Sequence, residues 1–97
     1  MEKRYDEQLT TKLEEIITHG ATLINWAEVR KWYGIQRVAA ATYRDISNRW
    51  DELTGGKYGD IICVPVKHVW PENYGFWAFS NKSLRLLTDL ESGAKSD

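Results

Sequence analysis

The fold of this chain is decided by residues 23–34, which read LINWAEVRKWYG. Asn25 is typical of a helix N-cap, and Glu28 stands three residues later, where a capping box places its acidic side chain. Gly34 ends the helix as a C-cap, because glycine adopts the left-handed backbone conformation at little cost. The stretch therefore predicts a short extended segment that passes directly into a helix over residues 26–33.

A longer amphipathic helix is predicted on each side of this unit. The first ends at Gly20 and is followed by the extended segment over residues 21–24, and the other begins with a turn at Ile35, reaches Leu53 and ends at Gly55-Gly56. The apolar faces of the two helices are Tyr5, Leu9, Leu13, Ile16 and Ile17 in the first, and Ala39, Tyr43, Ile46, Trp50 and Leu53 in the other. We expect the centre of one core to consist of Trp26, Val29, Tyr43, Ile46 and Trp50, with either Trp32 or Tyr33 also buried.

The apolar pattern then changes from helical to extended. Residues 61–70 and 76–79 are rich in β-branched and aromatic side chains, and the turn chemistry of residues 71–75 joins them into a hairpin. Pro65 has no N–H to donate, so its strand lies at a sheet edge or contains a bulge. Residues 81–83 could cap a short fourth helix with Leu84, Leu87 and Leu90 on one side, and a strand continuing through Leu87 is the alternative.

Length and composition indicate a single globular domain over residues 1–91, with a loose tail over residues 92–97. No apolar run approaches the roughly 20 residues that a membrane span needs, and the charged N-terminus does not read as a secretory signal. Cys63 is the single cysteine, which excludes an internal disulfide and a cysteine-based zinc cluster, and we expect it to be a small buried residue. These features favour the cytoplasm and no association with a membrane.

The charge distribution is more informative than the net charge of −1. Residues 30–50 carry a balance of +4, whereas residues 1–15 carry −2. Affinity for DNA depends on local neutralisation of phosphates, so one basic segment is sufficient for a binding face.

The predicted order of elements is helix, short strand, helix, tight turn, helix and β-hairpin. Over residues 8–80 this order resembles a winged helix-turn-helix domain, an α+β fold in which a β-hairpin wing follows three helices. The Val29-Arg30 pair before Gly34, and the hydroxyl-containing helix that ends in Trp50, are similar to the N-terminal domain of plasmid KfrA-type proteins. Both resemblances imply a protein that binds double-stranded DNA.

The residue types fit this function. The major groove admits one helix, whose outward side chains must offer hydrogen bonds to base edges and phosphates. The candidate DNA-binding residues are Arg30, Lys31, Gln36, Arg37, Thr42, Arg44, Ser47, Asn48 and Arg49 on the helices and their turn, and Lys67 and His68 in the wing. The alternative for the arginines is an ordinary solvated or ion-paired surface, since Asp45 could pair with Arg49 one helical turn away.

No pattern supports an enzyme, a cofactor or a catalytic site. The acidic residues form no recognisable carboxylate pair, and no phosphate loop, dinucleotide fingerprint or metalloprotease motif occurs. Cys63 and His68 lie five residues apart, which places them on opposite faces of one strand. We therefore expect a small transcriptional regulator, such as a repressor, or a plasmid or phage accessory factor.

Aromatic residues crowd the predicted hairpin beyond what one face can bury. These residues are Trp70, Tyr74, Phe76, Trp77 and Phe79. Exposed aromatic patches commonly mark interfaces, so we expect a homodimer through this hairpin and the C-terminal leucines. Burial of the aromatics against the first helix is an alternative to the dimer. The rival function is a winged-helix protein-interaction module that uses the aromatic hairpin.

Overall fold

The computed structural model describes residues 1–66 and 75–83. Three helices and three strands follow in the order α1 (Lys3–His19), β1 (Ala21–Asn25), α2 (Trp26–Tyr33), α3 (Ala40–Thr54), β2 (Ile61–Val66) and β3 (Gly75–Ser80), and a short 3-10 helix (Asn81–Ser83) comes last. The predicted α+β class is confirmed, with three helices and one antiparallel sheet. The predicted helix ends at Gly20, Gly34 and Gly55 are also confirmed.

The helix at residues 26–33 forms as its sequence predicts. The Asn25 side chain accepts a hydrogen bond from the backbone N–H of Glu28 at 3.1 Å. Gly34 adopts a left-handed conformation with φ of 63° and donates its N–H to carbonyl groups of the last turn. Both ends of α2 are therefore set by local chemistry.

The three strands form one antiparallel sheet in the order β1-β3-β2. Among the described strands β2 is an edge, so Pro65 needs no ladder partner on its outer side, as its chemistry predicts. Gly75 lies where β1 closely approaches β3, since a Cβ there would stand 1.9 Å from the Ile24 carbonyl oxygen. Only glycine fits this position without moving the two strands apart.

One face of the sheet packs against the helices. The core consists of Leu9, Leu13 and Ile16 from α1, Val29 and Trp32 from α2, Ile46 and Trp50 from α3, and Ile24, Phe76 and Ala78 from the sheet. Trp50 is fully buried, and its indole Nε1–H donates to the Gly59 carbonyl at 2.9 Å. Trp32 rather than Tyr33 is the buried aromatic of α2.

The predictions for α3 need correction in two respects. The helix begins at Ala40 with Ala39 as its exposed N-cap, so Ala39 is not part of the apolar face. Its buried positions are Thr42, Ile46 and Trp50, whereas Tyr43 and Leu53 are 43% and 37% exposed. A helical period of 3.6 leaves Thr42 and Tyr43 at the two borders of the face centred on Ile46, and packing selected the threonine.

Two smaller predictions about burial were also wrong. Trp26 is only partly buried, because it stands at the margin of the core and packs on Phe76 from there. Cys63 is exposed, since it lies on the edge strand β2. The predicted turn over residues 71–75, apart from Gly75, lies outside the described residues, as do the fourth helix and the tail. Within the part of the chain that the structure describes, no helix is long and apolar enough to cross a membrane.

Candidate nucleic-acid interface

The side of α3 opposite the core carries polar and basic groups. Arg44 and Asn48 are exposed and stand one turn apart, on the side of the helix away from Ile46 and Trp50. Ser47 is half-buried beside them. The first turn contributes Ala40 and Ala41, which are exposed and small. We call the exposed set Ala40, Ala41, Arg44 and Asn48 the α3 face.

Arg44 is available for a ligand. Within residues 1–66 and 75–83, the ion pairs involve Arg4 and Arg49 and leave Arg44 without a carboxylate. A guanidinium in this state can donate to the O6 and N7 atoms of guanine or to a phosphate, and the Asn48 amide matches adenine. The two side chains together offer the chemistry of direct base readout.

The first turn of α3 differs from those of α1 and α2. It holds no acidic residue, and its N-cap Ala39, like Glu2 of α1, makes no side-chain hydrogen bond. Asp6 and Glu28 occupy the first turns of α1 and α2. The positive end of the α3 dipole is thus neither capped by a side chain nor neutralised by a carboxylate in its own first turn, which favours an approaching phosphate.

Arg49 faces another direction and is tied into the protein. Its Nε donates to Asp45 at 2.8 Å, and its Nη1 pairs with Asp6 of α1. Tyr33 of α2 donates its hydroxyl to the same Asp45 oxygen at 2.6 Å. This network joins all three helices, and it places Arg49 as a structural tie beside the α3 face.

The pKa shifts in this network agree with its geometry. The hydrogen bond from Tyr33, followed by that from Arg49, lowers the pKa of Asp45. Burial, followed by the bond to Asp45, raises the pKa of Tyr33. The hydrogen bond to Asp45 also raises the pKa of Arg49. Asp45 therefore stays ionised and Tyr33 stays protonated at neutral pH, which preserves the tie.

The other predicted site residues are distributed around α3. Arg30, Gln36 and Arg37 are exposed on α2 and on the turn that leads to α3. Lys31 instead reaches toward α1, where its Nζ lies 5.7 Å from the centre of the Tyr5 ring. Thr42 is buried at 7% exposure, so the expectation that it presents its hydroxyl to DNA was wrong. Lys67 and His68 lie outside the described residues.

Tyr43 was missed as a surface residue because its spacing also suits the core. Its ring meets Trp26 edge-on at 6.2 Å between centroids, and Trp26 packs on Phe76 at 4.9 Å. Phe76 follows Gly75, the first residue of β3, so these rings connect α3 to the end of the sheet that holds the Val66–Gly75 pair. Tyr43 of α3 is therefore linked to this end of the sheet through Trp26 and Phe76.

Metal chemistry finds no support in the described part of the chain, where no group of three or more His, Cys, Asp or Glu residues could hold a metal ion. Comparisons with protein-family models, with curated proteins and with solved structures give no match.

Proposed function

We propose that the chain is a winged helix-turn-helix domain that binds double-stranded DNA sequence-specifically. In this proposal α3 enters the major groove, the hairpin formed by β2 and β3 is the wing, and the wing contacts the sugar-phosphate backbone. The order of the elements and the β1-β3-β2 sheet support the fold assignment. In this proposal the protein is a small transcriptional regulator, such as a repressor, or a plasmid or phage accessory factor. It would act by occupying an operator.

One observation carries the proposal. Arg44 and Asn48 project from a helix whose opposite side is held in the core by Ile46 and Trp50. A helix anchored in this way presents its donors to base edges on a backbone that is already ordered, so that only the side chains lose conformational freedom on binding.

The charges along α3 indicate which end enters the groove. Asp51 and Glu52 are exposed in its C-terminal half, whereas the first turn has no acidic residue. Phosphates are therefore favoured near the N-terminal half and repelled near the C-terminal half. This polarity agrees with helix-turn-helix proteins in general, whose second helix contacts bases through its N-terminal residues.

The test is a salt-dependent titration of the protein with sequences selected from a random duplex pool. Arg44→Ala should weaken specific binding by about 1–3 kcal/mol, as expected for a bidentate contact to guanine. Arg4→Ala is the control, because it removes another exposed arginine, one on α1 that pairs with Glu2. We expect the control to reduce affinity for all sequences by a small and equal factor.

Two results would contradict the proposal. One is wild-type protein without salt-sensitive DNA binding, since phosphate contacts must weaken as salt rises. The other is an equal loss of specific DNA affinity from Arg4→Ala and from Arg44→Ala. The rival function, a protein-interaction module, draws its support from the exposed Trp77 and Val64 of the sheet. The homodimer stays a prediction, which the experiment of the next subsection also addresses.

A further inference from the structure

The sheet has a second face that is apolar throughout its middle. Side chains alternate along each strand, and Phe76 and Ala78 of β3 point to the core while Trp77 and Phe79 point away. The strand register places matching positions of β1 and β2 beside them. We call the resulting set the outer face: Ala21, Leu23, Ile62, Val64, Val66, Trp77 and Phe79.

The described helices do not cover the outer face. Its residues are absent from the core cluster, which takes the alternate positions Ile24, Phe76 and Ala78 from the sheet. Val64 and Trp77, which pair directly across β2 and β3, remain 47% and 41% exposed. A continuous apolar surface of this kind on a small domain marks a site where something packs.

The size of the outer face fits a short segment better than a second protein. Three strands spaced about 4.8 Å apart set their outer axes about 10 Å apart, and five residues extend about 17 Å. A single helix with its side chains is about 10–12 Å wide. The face thus covers roughly 170 Å², whereas a stable protein–protein interface needs about 800 Å² from each partner.

The chain itself supplies such a segment. The 3-10 helix Asn81–Ser83 directly follows β3, and the Asn81 N–H donates to the Asp60 carbonyl at 2.7 Å. The chain therefore leaves the sheet at the Ile61–Ser80 pair, whose side chains lie on the core side, one residue beyond Phe79 of the outer face. Four leucines follow within seven residues: Leu84, Leu86, Leu87 and Leu90.

We propose that residues 84–90 pack their leucines onto the outer face of the same chain. Tethering favours this occupant, because a segment attached at the margin of the face meets it at a millimolar effective concentration. The face carries no charge, and the leucines add none to the contact. The outer face then completes the domain and does not recruit a partner, independently of whether α3 binds DNA.

The test is a double-mutant cycle on the full chain at a concentration where it is monomeric by sedimentation. Trp77→Ala and Leu87→Ala should each lower the equilibrium constant of folding by some factor. If the two side chains touch, the factor for the double variant should be smaller than the product of the two single factors, by about fivefold or more. Trp77→Ala with Ile17→Ala is the control cycle. Ile17 is an exposed apolar residue of α1, so the factors by which Trp77→Ala and Ile17→Ala lower the folding constant should simply multiply in the double variant.

A second cycle with Val64→Ser in place of Trp77→Ala keeps the test decisive if the tryptophan variant fails to fold. Independent losses in both cycles would overturn the proposal. A second copy of the chain would be the occupant if the folded protein were found almost entirely as dimers. In that case Trp77→Ala and Leu87→Ala would both disrupt the dimer, and the melting temperature would rise with protein concentration. This result would also overturn the proposal.

Discussion

Arg44 and Arg49 lie on the same helix and stand in different environments. Arg44 points away from the core and pairs with no carboxylate among the described residues, whereas Arg49 lies between Asp6 and Asp45. The side of the helix on which an arginine falls thus decides its use. The first is free to bind a phosphate or a base, and the second holds α1 and α3 together.

The largest effect is expected where α3 is anchored. Trp50→Ala should lower the free energy of unfolding by about 3–5 kcal/mol, because it removes a fully buried aromatic side chain. Tyr43→Ala is the control on the exposed side and should lose less than about 1 kcal/mol. Urea denaturation of both variants measures the difference. Equal losses would mean that the assignment of the two sides is wrong.

Arg49→Ala should separate stability from DNA binding. We expect a loss of about 1 kcal/mol in unfolding free energy, since one guanidinium bridges two carboxylates. Arg44→Ala should change stability by less than about 0.5 kcal/mol. In DNA titrations the order should reverse, with Arg44→Ala the more damaging of the two. If Arg49→Ala abolished sequence discrimination while stability was unchanged, Arg49 would belong to the interface.

A smaller effect is expected from the acidic end of α3. Asp51→Asn removes an exposed charge one turn beyond Asn48 without changing the size of the side chain. Affinity for all duplex sequences should rise by less than about 1 kcal/mol at low salt, and the gain should shrink as salt screens it. Glu14→Gln on α1 is the control, where no gain is expected. A loss of affinity would place Asp51 in contact with a base.

The smallest effect concerns pH. The pKa of Asp45 is lower in the folded protein than its ordinary value of 3.8, chiefly because Tyr33 donates to it. A depressed carboxyl pKa stabilises the folded state at pH values above the ordinary pKa. This stabilisation is lost as the pH falls through the pKa of the folded state. Asp45→Asn should therefore be less stable than wild type at pH 7 by a fraction of 1 kcal/mol, given the exposure of the site. Denaturation at pH 7 and pH 3 checks whether this gap narrows, and a constant gap would contradict the assignment.

Much of the fold follows from short-range signals. The Asn25 cap, the Gly34 end and the helical spacing of Leu9, Leu13 and Ile16 each act within a few residues, so the sequence predicts them correctly. The extended segments β2 and β3 are likewise evident from their β-branched and aromatic composition. Ala39 was predicted on the apolar face of α3 and is instead its N-cap, a position that no side-chain cap marks in the sequence.

The candidate site was less predictable than the fold. Arg44 and Asn48 could be assigned to the exposed side, since they lie opposite any face centred on Ile46. Thr42 and Arg49 could not be placed, because each stands at the border of that face. The burial of Thr42 depends on how the helices pack, and the pair of Arg49 with Asp6 depends on α1, which is distant in sequence. The pair of Arg49 with Asp45 lies within α3, and the sequence had offered it as the alternative to DNA contact.

The sequence by itself determined where helices and strands form, because caps, glycine ends and apolar periodicity are local properties of the chain. Only the tertiary structure decided that Thr42 rather than Tyr43 enters the core, that Asp6 reaches Arg49, and that Trp77 shares an apolar surface with Leu23 and Val64. The physical reason is the same in each case. A border residue, an ion pair between helices and a strand register all depend on which elements pack together, and that is set by burial of the whole core.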